Sequence, residues 1–192
     1  MEGKNTGAVI ASIFVIILSA IIGSCFMAFV YAEKKVVVNN PKIYTSESIS
    51  VANSDGQELE TLKLSKSALG IKPVTSEDDS ETLIPYSVTS SVGSEGLYAS
   101  FFVKASVPWR LVVRDVVVSS SGNAEKEREH IMVGLEDVKH SAKNLTEDEV
   151  VLYDGNAGQE YRKFNLFVWL HSHSGQDLIG AQISFNLYFQ QA

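Results

Sequence analysis

The chain has 192 residues, of which 45% are hydrophobic and 20% are charged, and its formal net charge is −7. This composition excludes a wholly disordered chain, and the excess of acidic side chains excludes electrostatic binding of nucleic acid. The one cysteine, Cys25, leaves no intrachain disulfide to stabilise a folded domain.

The N-terminal segment predicts a membrane helix. A short polar region, residues 1–7, is followed by Ala8–Val30, which contains no charged residue. A helix of this length, at ~1.5 Å per residue, crosses the ~30 Å hydrocarbon layer of a bilayer. We therefore expect residues 8–32 to form a transmembrane anchor or a signal segment, with the membrane as a partner.

The sequence leaves the fate of this helix open. Val30 and Ala32 occupy positions −3 and −1 of a signal-peptidase site, which favours cleavage. The apolar run is longer than the ~7–15 residues of an ordinary signal peptide, which favours a retained anchor. Lipidation at Cys25 is a third alternative, although apolar residues follow it where lipoproteins usually become polar.

The orientation of the helix depends on few charges. Lys4 precedes the helix and Lys34 and Lys35 follow it, but long domains translocate largely regardless of such charges. The cleavage site favours export, and a domain without cysteine suits Gram-positive secretion. We expect a single-pass membrane, cell-surface or secreted protein with its domain outside the cytoplasm.

Residues 33–192 predict a β domain, because short β-branched and aromatic runs alternate with turn formers. The segment from Glu149 to Tyr153 and that from Tyr161 to Leu170 flank Asp154–Gly158, which predicts a hairpin. The predicted extended segments are 35–38, 43–51, 98–105, 111–118, 149–153, 161–170 and 181–189.

The last segment shows the clearest period of two. Ile183, Phe185, Leu187 and Phe189 share one face, and polar side chains and Tyr188 share the other, as in a strand with one buried side. Many short strands with this patterning predict a mainly β fold. We expect an antiparallel two-sheet β-sandwich of jelly-roll-like type behind the N-terminal helix.

His171 and His173 are the candidate metal ligands. At positions i and i+2 of an extended segment they point to one side and could share an ion. His130 and His140 lie far away in sequence, and no other ligand follows at a familiar spacing. A polar strand end after Trp169 and Leu170 is the alternative interpretation.

Other polar groups predict no chemistry. Asp154–Glu160 resembles a calcium loop but lacks a third acidic ligand and a distant glutamate, so a turn is favoured. The acidic side chains between Glu77 and Glu81 are expected to be solvated, and Trp109 and Trp169 are expected in the core or at its rim. Because zinc-protease, nucleophile-elbow and phosphate-loop motifs are absent, we predict no catalytic residue and no cofactor.

The C-terminal stretch has an apolar strand ending in Trp169, a polar loop, and Ile179-Gly180-Ala181 before a final alternating strand. In this pattern it resembles exported Firmicutes proteins that carry an alternate-type signal peptide, related to the biofilm-fibre protein TasA and to camelysin. His171-Ser172 stands where that family has Glu-Gly. The resemblance implies a jelly-roll-like β-sandwich, export and, in some members, fibres formed by strand donation. The segment around Val36, Val37 and Val38 would then be the donor strand.

Three functional hypotheses follow. The first is a non-enzymatic cell-surface or extracellular-matrix protein, acting as a homo-oligomer or with another surface protein. The second is a metal-dependent hydrolase that uses His171 and His173, because camelysin-like proteins have been described as metalloproteases. The third is a membrane-tethered ligand-binding module.

Overall fold

The chain divides into two compact units, Met1–Lys34 and Lys35–Ala192. The computed structural model describes residues 15, 17–19, 21, 35–66, 68–70, 84, 88, 96–119, 128–136, 141–171, 178 and 180–192.

Few residues of the first unit are described. Residues 15, 17–19 and 21 are helical, and the Ser19 hydroxyl donates a hydrogen bond to the Val15 carbonyl at 2.6 Å. Within the described residues, no helix combines the length and the hydrophobicity that crossing a membrane requires. The rest of the predicted segment 8–32, including Cys25 and the cleavage residues Val30 and Ala32, lies outside the described residues.

The second unit is built from β-strands, so the prediction of a mainly β domain is confirmed. In the described part of the chain the strands are β1 (Lys35–Val38), β2 (Lys42–Thr45), β3 (Ile49–Ala52), β4 (Ala68–Gly70), β5 (Leu97–Ala105), β6 (Trp109–Ser119), β7 (Ile131–Glu136), β8 (Ser141–Asn144), β9 (Glu149–Gly155), β10 (Gly158–Leu170) and β11 (Gln182–Gln191).

The described strands form two sheets, as predicted. A six-stranded sheet has the order β4-β1-β11-β6-β9, with β2 also paired to β11, and a five-stranded sheet has the order β3-β5-β10-β7-β8. The expectation of purely antiparallel pairing is wrong for the first sheet, because β1 and β2 both run parallel to β11. Almost the whole domain lies between these partners in sequence, and this long connection permits parallel pairing.

Strand β11 is the centre of the six-stranded sheet. Residues Val37 and Val38 of β1 pair near its beginning, and residues 42–45 of β2 pair near its end. Pro41 lies between β1 and β2 and has no N–H to donate, so the extended N-terminal stretch is interrupted there. On its other side β11 pairs antiparallel with β6 along most of its length.

The inner faces of the two sheets share one hydrophobic core. The alternation predicted for β11 is confirmed, because Ile183, Phe185, Leu187 and Phe189 are all buried. An aromatic contact links the sheets, since the Phe101 and Phe189 rings meet edge to face with centroids 5.7 Å apart. Other aromatic side chains extend this contact: Phe164, Trp109 and Tyr153.

A second, smaller core lies on the outer face of the five-stranded sheet. Phe167 and Trp169 of β10 and Met132 of β7 pack there with Ile84 and Val88, which precede β5. The end of β10 is therefore buried on both faces, which explains its continuous apolar run from residue 166 to residue 170. Trp109 and Trp169 are both buried, in agreement with the core interpretation.

Two predicted elements differ from the structure. The alternating segment 43–51 is two strands, β2 and β3, which belong to different sheets and are separated by a turn at residues 47–48. The predicted hairpin at Asp154–Gly158 is wrong, because β9 pairs with β6 whereas β10 pairs with β5 and β7. Asn156 and Ala157 instead carry the chain from one sheet to the other.

The outer core depends on the absence of a side chain at Gly134. A Cβ there would lie 2.7 Å from Ile84 Cγ1 and 2.9 Å from Trp169 Cη2. We expect Gly134→Ala to destabilise the fold by about 1–3 kcal/mol, measured by urea denaturation, because the packed neighbours must move. Gly158→Ala is the matched control, since a Cβ at Gly158 meets nothing within 4 Å.

The variant Ile84→Ala tests the cause of this loss. Ile84→Ala should lower the free energy of unfolding less in the Gly134→Ala background than in the parent. The difference, measured in a double-mutant cycle, should be about 0.5–2 kcal/mol. Purely additive effects would show that residue 84 does not cover Gly134.

Candidate functional site

Strand β1, which contains the predicted donor residues Val36, Val37 and Val38, is paired within its own chain. On one side its backbone bonds to the start of β11, with the Val37 N–H donating to the Ala181 carbonyl and the Asn39 N–H to the Ile183 carbonyl, both at 2.9 Å. On the other side it pairs antiparallel with β4. The role of these residues between chains stays a prediction.

The side chains of β1 alternate sharply between the core and the outside. Val36 and Val38 are buried in the core shared by the two sheets, whereas Val37 is 40% exposed. Full burial of a valine side chain stabilises a fold by about 1.5–3 kcal/mol, so the two inward valines are the main apolar contribution of this strand. Without β1, the edge of β11 and the core beneath it would be open.

Few other interactions hold β1 in place. Its second neighbour, β4, has only the residues Ala68–Gly70. One side-chain hydrogen bond joins this region to β11, from the Gln182 Nε2 to the Asn39 Oδ1 at 3.1 Å. Just before β11, the Gly180 N–H donates to the Lys35 carbonyl at 3.1 Å, from a backbone with φ of 75° that favours glycine.

The predicted metal ligand His171 follows the end of β10, whereas His173 lies outside the described residues. The structure places His171 beside His130, one step beyond the paired residues Leu170 and Ile131. The His171 N–H donates to the His130 carbonyl at 2.8 Å, and the two ring centroids are 6.3 Å apart. Sequence separation concealed this pair, because strand pairing alone brings the two residues together.

A third ligand is missing from the described part of the chain. His130 Nε2 lies 3.4 Å from a Glu129 carboxylate oxygen. In the part of the chain that the structure describes, no three His, Cys, Asp or Glu side chains are grouped to hold a metal ion. Asp154, at the start of the calcium-like loop, instead forms an ion pair with Arg110 at 2.7 Å. The acidic cluster Glu77–Glu81 lies outside the described residues.

A polar cluster around Asp115 was not predicted from the sequence. Asp115 on β6 has a φ of 56°, and it lies where the register between β6 and β11 shifts. Its Oδ2 accepts hydrogen bonds from the Tyr188 hydroxyl at 2.6 Å and from the Asn186 Nδ2 at 2.8 Å. Aspartate tolerates the left-handed region better than most residues, and these bonds hold it there.

The Tyr188 ring continues the cluster across the outer face of the sheet. It stacks on the exposed Tyr44 ring with the two centroids 4.7 Å apart. The guanidinium of Arg114, on β6, lies 5.2 Å from the centroid of the Tyr188 ring. Arg114 in turn forms an ion pair with Glu149 at 2.6 Å. This row of side chains joins four neighbouring strands of the sheet through cross-strand contacts.

The bond between Asp115 and Tyr188 shifts both side-chain pKa values. The Tyr188 hydroxyl, followed by the Asn186 amide, holds the pKa of Asp115 below its ordinary value. The same bond, followed by desolvation, raises the pKa of Tyr188 above its ordinary value. Both groups lie near the surface, so solvent weakens the effect on stability.

Comparison with known proteins finds no match for this chain among protein-family models, curated proteins or solved structures. The resemblance to TasA and camelysin at Trp169 and at Ile179-Gly180-Ala181 therefore stays a prediction.

Tyr188→Phe should lower the melting temperature slightly, by about 1–2 °C, between roughly pH 5 and pH 9. Folding lowers the pKa of Asp115, so its stabilising bond is lost as pH falls through this lowered pKa, below about pH 4. Folding raises the pKa of Tyr188, so the bond is also lost as pH rises through that pKa, above about pH 10. Circular dichroism melts across pH measure the difference.

The matched control is Tyr44→Phe, which removes a hydroxyl from the neighbouring ring of the stack and keeps both rings. Its effect should not follow this pH profile. A difference between Tyr188→Phe and the parent that stays constant from pH 3 to pH 11 would contradict the assignment.

Proposed function

We propose that this protein is a non-enzymatic cell-surface or extracellular-matrix protein whose domain is exported by the segment 8–32 and assembles by exchange of β1. In this proposal the two-sheet domain is a jelly-roll-like β-sandwich, as in the exported Firmicutes proteins that the C-terminal stretch resembles. The partners are the membrane, through the N-terminal helix, and a second copy of the chain or another surface protein.

The observation that carries the proposal is the position of β1. It is the first strand of its compact unit, and it completes the sheet beside β11, the last strand. Its removal leaves the order β11-β6-β9 and the whole five-stranded sheet unchanged. A strand at the beginning of a unit can therefore leave with the loss of one other pairing, that of the three-residue strand β4.

Exchange would preserve the stabilising contacts. Val36 and Val38 of one copy would fill the core of the next, and the N–H groups of Val37 and Asn39 would find the same carbonyls there. Because the contacts are identical, strand exchange costs little enthalpy, and concentration offsets the lost freedom of motion. Cleavage after Ala32 would leave β1 two residues from the new N-terminus, with almost no chain to constrain it.

A pair of cysteines tests the exchange directly. Val37 and Gln182 are paired residues on β1 and β11, which places their Cα atoms within the usual reach of a disulfide. In the full chain with Cys25→Ser, the variant Val37→Cys/Gln182→Cys should give intrachain disulfides when it is oxidised as a monomer. These should prevent fibres in electron micrographs. If it is first allowed to assemble under reducing conditions, oxidation should give a ladder of linked chains on a non-reducing gel.

The matched control is Ser100→Cys/Asn165→Cys, which joins β5 to β10 within the five-stranded sheet. It should give intrachain disulfides in both states and leave assembly unchanged. Fibres formed by the oxidised Val37→Cys/Gln182→Cys monomer at the parent's rate would reject exchange of β1, as would a parent that stays monomeric at every concentration.

The alternative function, a metal-dependent hydrolase, first requires metal binding. One observation favours such binding, namely the cross-strand pair of His130 and His171. Each imidazole has two nitrogens, so one can keep its present partner while the other coordinates at about 2.1 Å. Calorimetric titration of the full chain with Zn²⁺ should show binding that His130→Ala and His171→Ala each weaken about tenfold or more. His140→Ala is the histidine control, and binding unaffected by both of the first two variants would exclude this site.

A further inference from the structure

A cavity of about 430 Å³ opens where the chain passes from β9 to β10. Trp109 and Tyr153 of the six-stranded sheet line it together with Val103 and Arg162 of the five-stranded sheet. It therefore lies at one end of the domain, between the edges of the two inner faces. Its volume falls within the range of small-molecule sites in proteins.

A bulge in β10 creates this space. Gly158 pairs with Ala105 and Arg162 pairs with Val103, so three residues of β10 stand opposite one residue of β5. The extra residues include Gln159 and Glu160, which line the cavity. On the opposite side the backbone of Gly155 lies against the Trp109 indole so closely that any side chain there would collide with the ring. Bulges of this kind commonly re-aim side chains at binding sites.

The wall of the cavity contains a donor without a protein acceptor. Trp109 is only 4% exposed, yet in the described part of the chain its indole N–H makes no hydrogen bond. Among the described residues the Ser46 hydroxyl is the one fully enclosed side-chain N or O that lacks a partner, so the Trp109 indole nitrogen keeps some accessible surface, and Trp109 lines the cavity. A donor placed in this way is suited to an acceptor on a ligand.

The charged groups of the wall have opposite signs. The Arg162 Nη1 donates to the Tyr153 hydroxyl at 2.8 Å, and the guanidinium carbon lies 5.7 Å from the Tyr153 centroid and 5.3 Å from the Phe164 centroid. These contacts hold the cation in one position. Glu160 lies in the same wall, so its carboxylate offsets this charge and the cavity favours no net ligand charge.

We propose that this cavity binds a neutral saccharide of one or two sugar rings. The amides of Asn156 and Gln159, the Glu160 carboxylate and the Trp109 N–H together offer the mixed donors and acceptors that sugar hydroxyls need. Val103, Ala105 and the aromatic rings offer the apolar surface that packs against the C–H face of a sugar. The inference stands on the cavity alone and is independent of β1 exchange. It specifies the ligand class for the hypothesis of a tethered ligand-binding module.

The Trp109 N–H is also the reporter for the test. The chain has two tryptophans, so its ¹H–¹⁵N spectrum contains two indole signals, and Trp109→Phe identifies the relevant one. The full chain, in a phosphocholine detergent that has no sugar headgroup, is titrated with cellobiose, maltose and the disaccharide of N-acetylglucosamine. We expect at least one of them to shift the Trp109 signal saturably at millimolar concentration and to leave the Trp169 signal unchanged.

Variants and further ligands distinguish binding of a neutral saccharide from binding of a charged ligand. Arg162→Lys and Gln159→Ala should each weaken the saccharide about tenfold. Arg114→Lys, a matched arginine on the outer face, should leave the affinity unchanged. Digalacturonic acid and the dipeptide Ala-Ala test an anionic and a zwitterionic ligand. The proposal is overturned if no neutral disaccharide shifts the Trp109 signal, or if only the acid or the dipeptide does.

Discussion

Phe101 and Phe189 meet edge to face between the two sheets, and the domain is assembled around this contact. Phe164 stacks on Phe101 from within the five-stranded sheet, and Trp109 meets both Phe164 and Phe189 from the six-stranded sheet. Each such pair contributes about 0.5–1.5 kcal/mol beyond the burial of its area. With one cysteine in the whole chain, the fold has no covalent link to share this task. Substitutions that separate these rings should therefore affect both sheets together.

The same cluster borders the cavity between β9 and β10. Trp109 packs in the core and also lines the cavity, while Tyr153 contacts both Trp109 and Phe164 and accepts a hydrogen bond from Arg162. The cavity is thus the unfilled end of the core, kept open by the bulge of β10. Residues supported by core packing are already ordered, which would reduce the entropy that the protein loses in the proposed binding.

Strand β11 is the strand on which the proposed exchange depends. It is paired along its length by β6 on one side and by two short strands, β1 and β2, on the other. A long antiparallel partner and short parallel partners differ in the number of hydrogen bonds that they supply, so β1 and β2 are held less firmly than β6. In the proposed exchange the inward valines of β1 would give specificity, because a strand with the same alternation is needed to fill the same core.

Local periodicity in the sequence indicated which faces of several strands are buried, although it joined β2 and β3 into one segment. The alternation of Ile183, Phe185, Leu187 and Phe189 required one buried face, and the apolar run at the end of β10 required burial on both sides. The long uncharged stretch Ala8–Val30 predicts an apolar environment on the same principle, and this stays a prediction. In each case the positions that must be buried lie close together in the chain. Their pattern can therefore be recognised without knowing which strand or surface covers them.

Only the tertiary structure decided which strands are partners. The connection at Asn156 and Ala157 passes between the sheets, and this follows from the pairing of β9 with β6 and of β10 with β5. Three further features depend in the same way on residues distant in sequence. They are the contact of His130 with His171, the bond between Asp115 and Tyr188, and the parallel pairing of β1 with β11. Such contacts form because strand pairing brings distant residues side by side, and the pairing is decided by the folded chain as a whole.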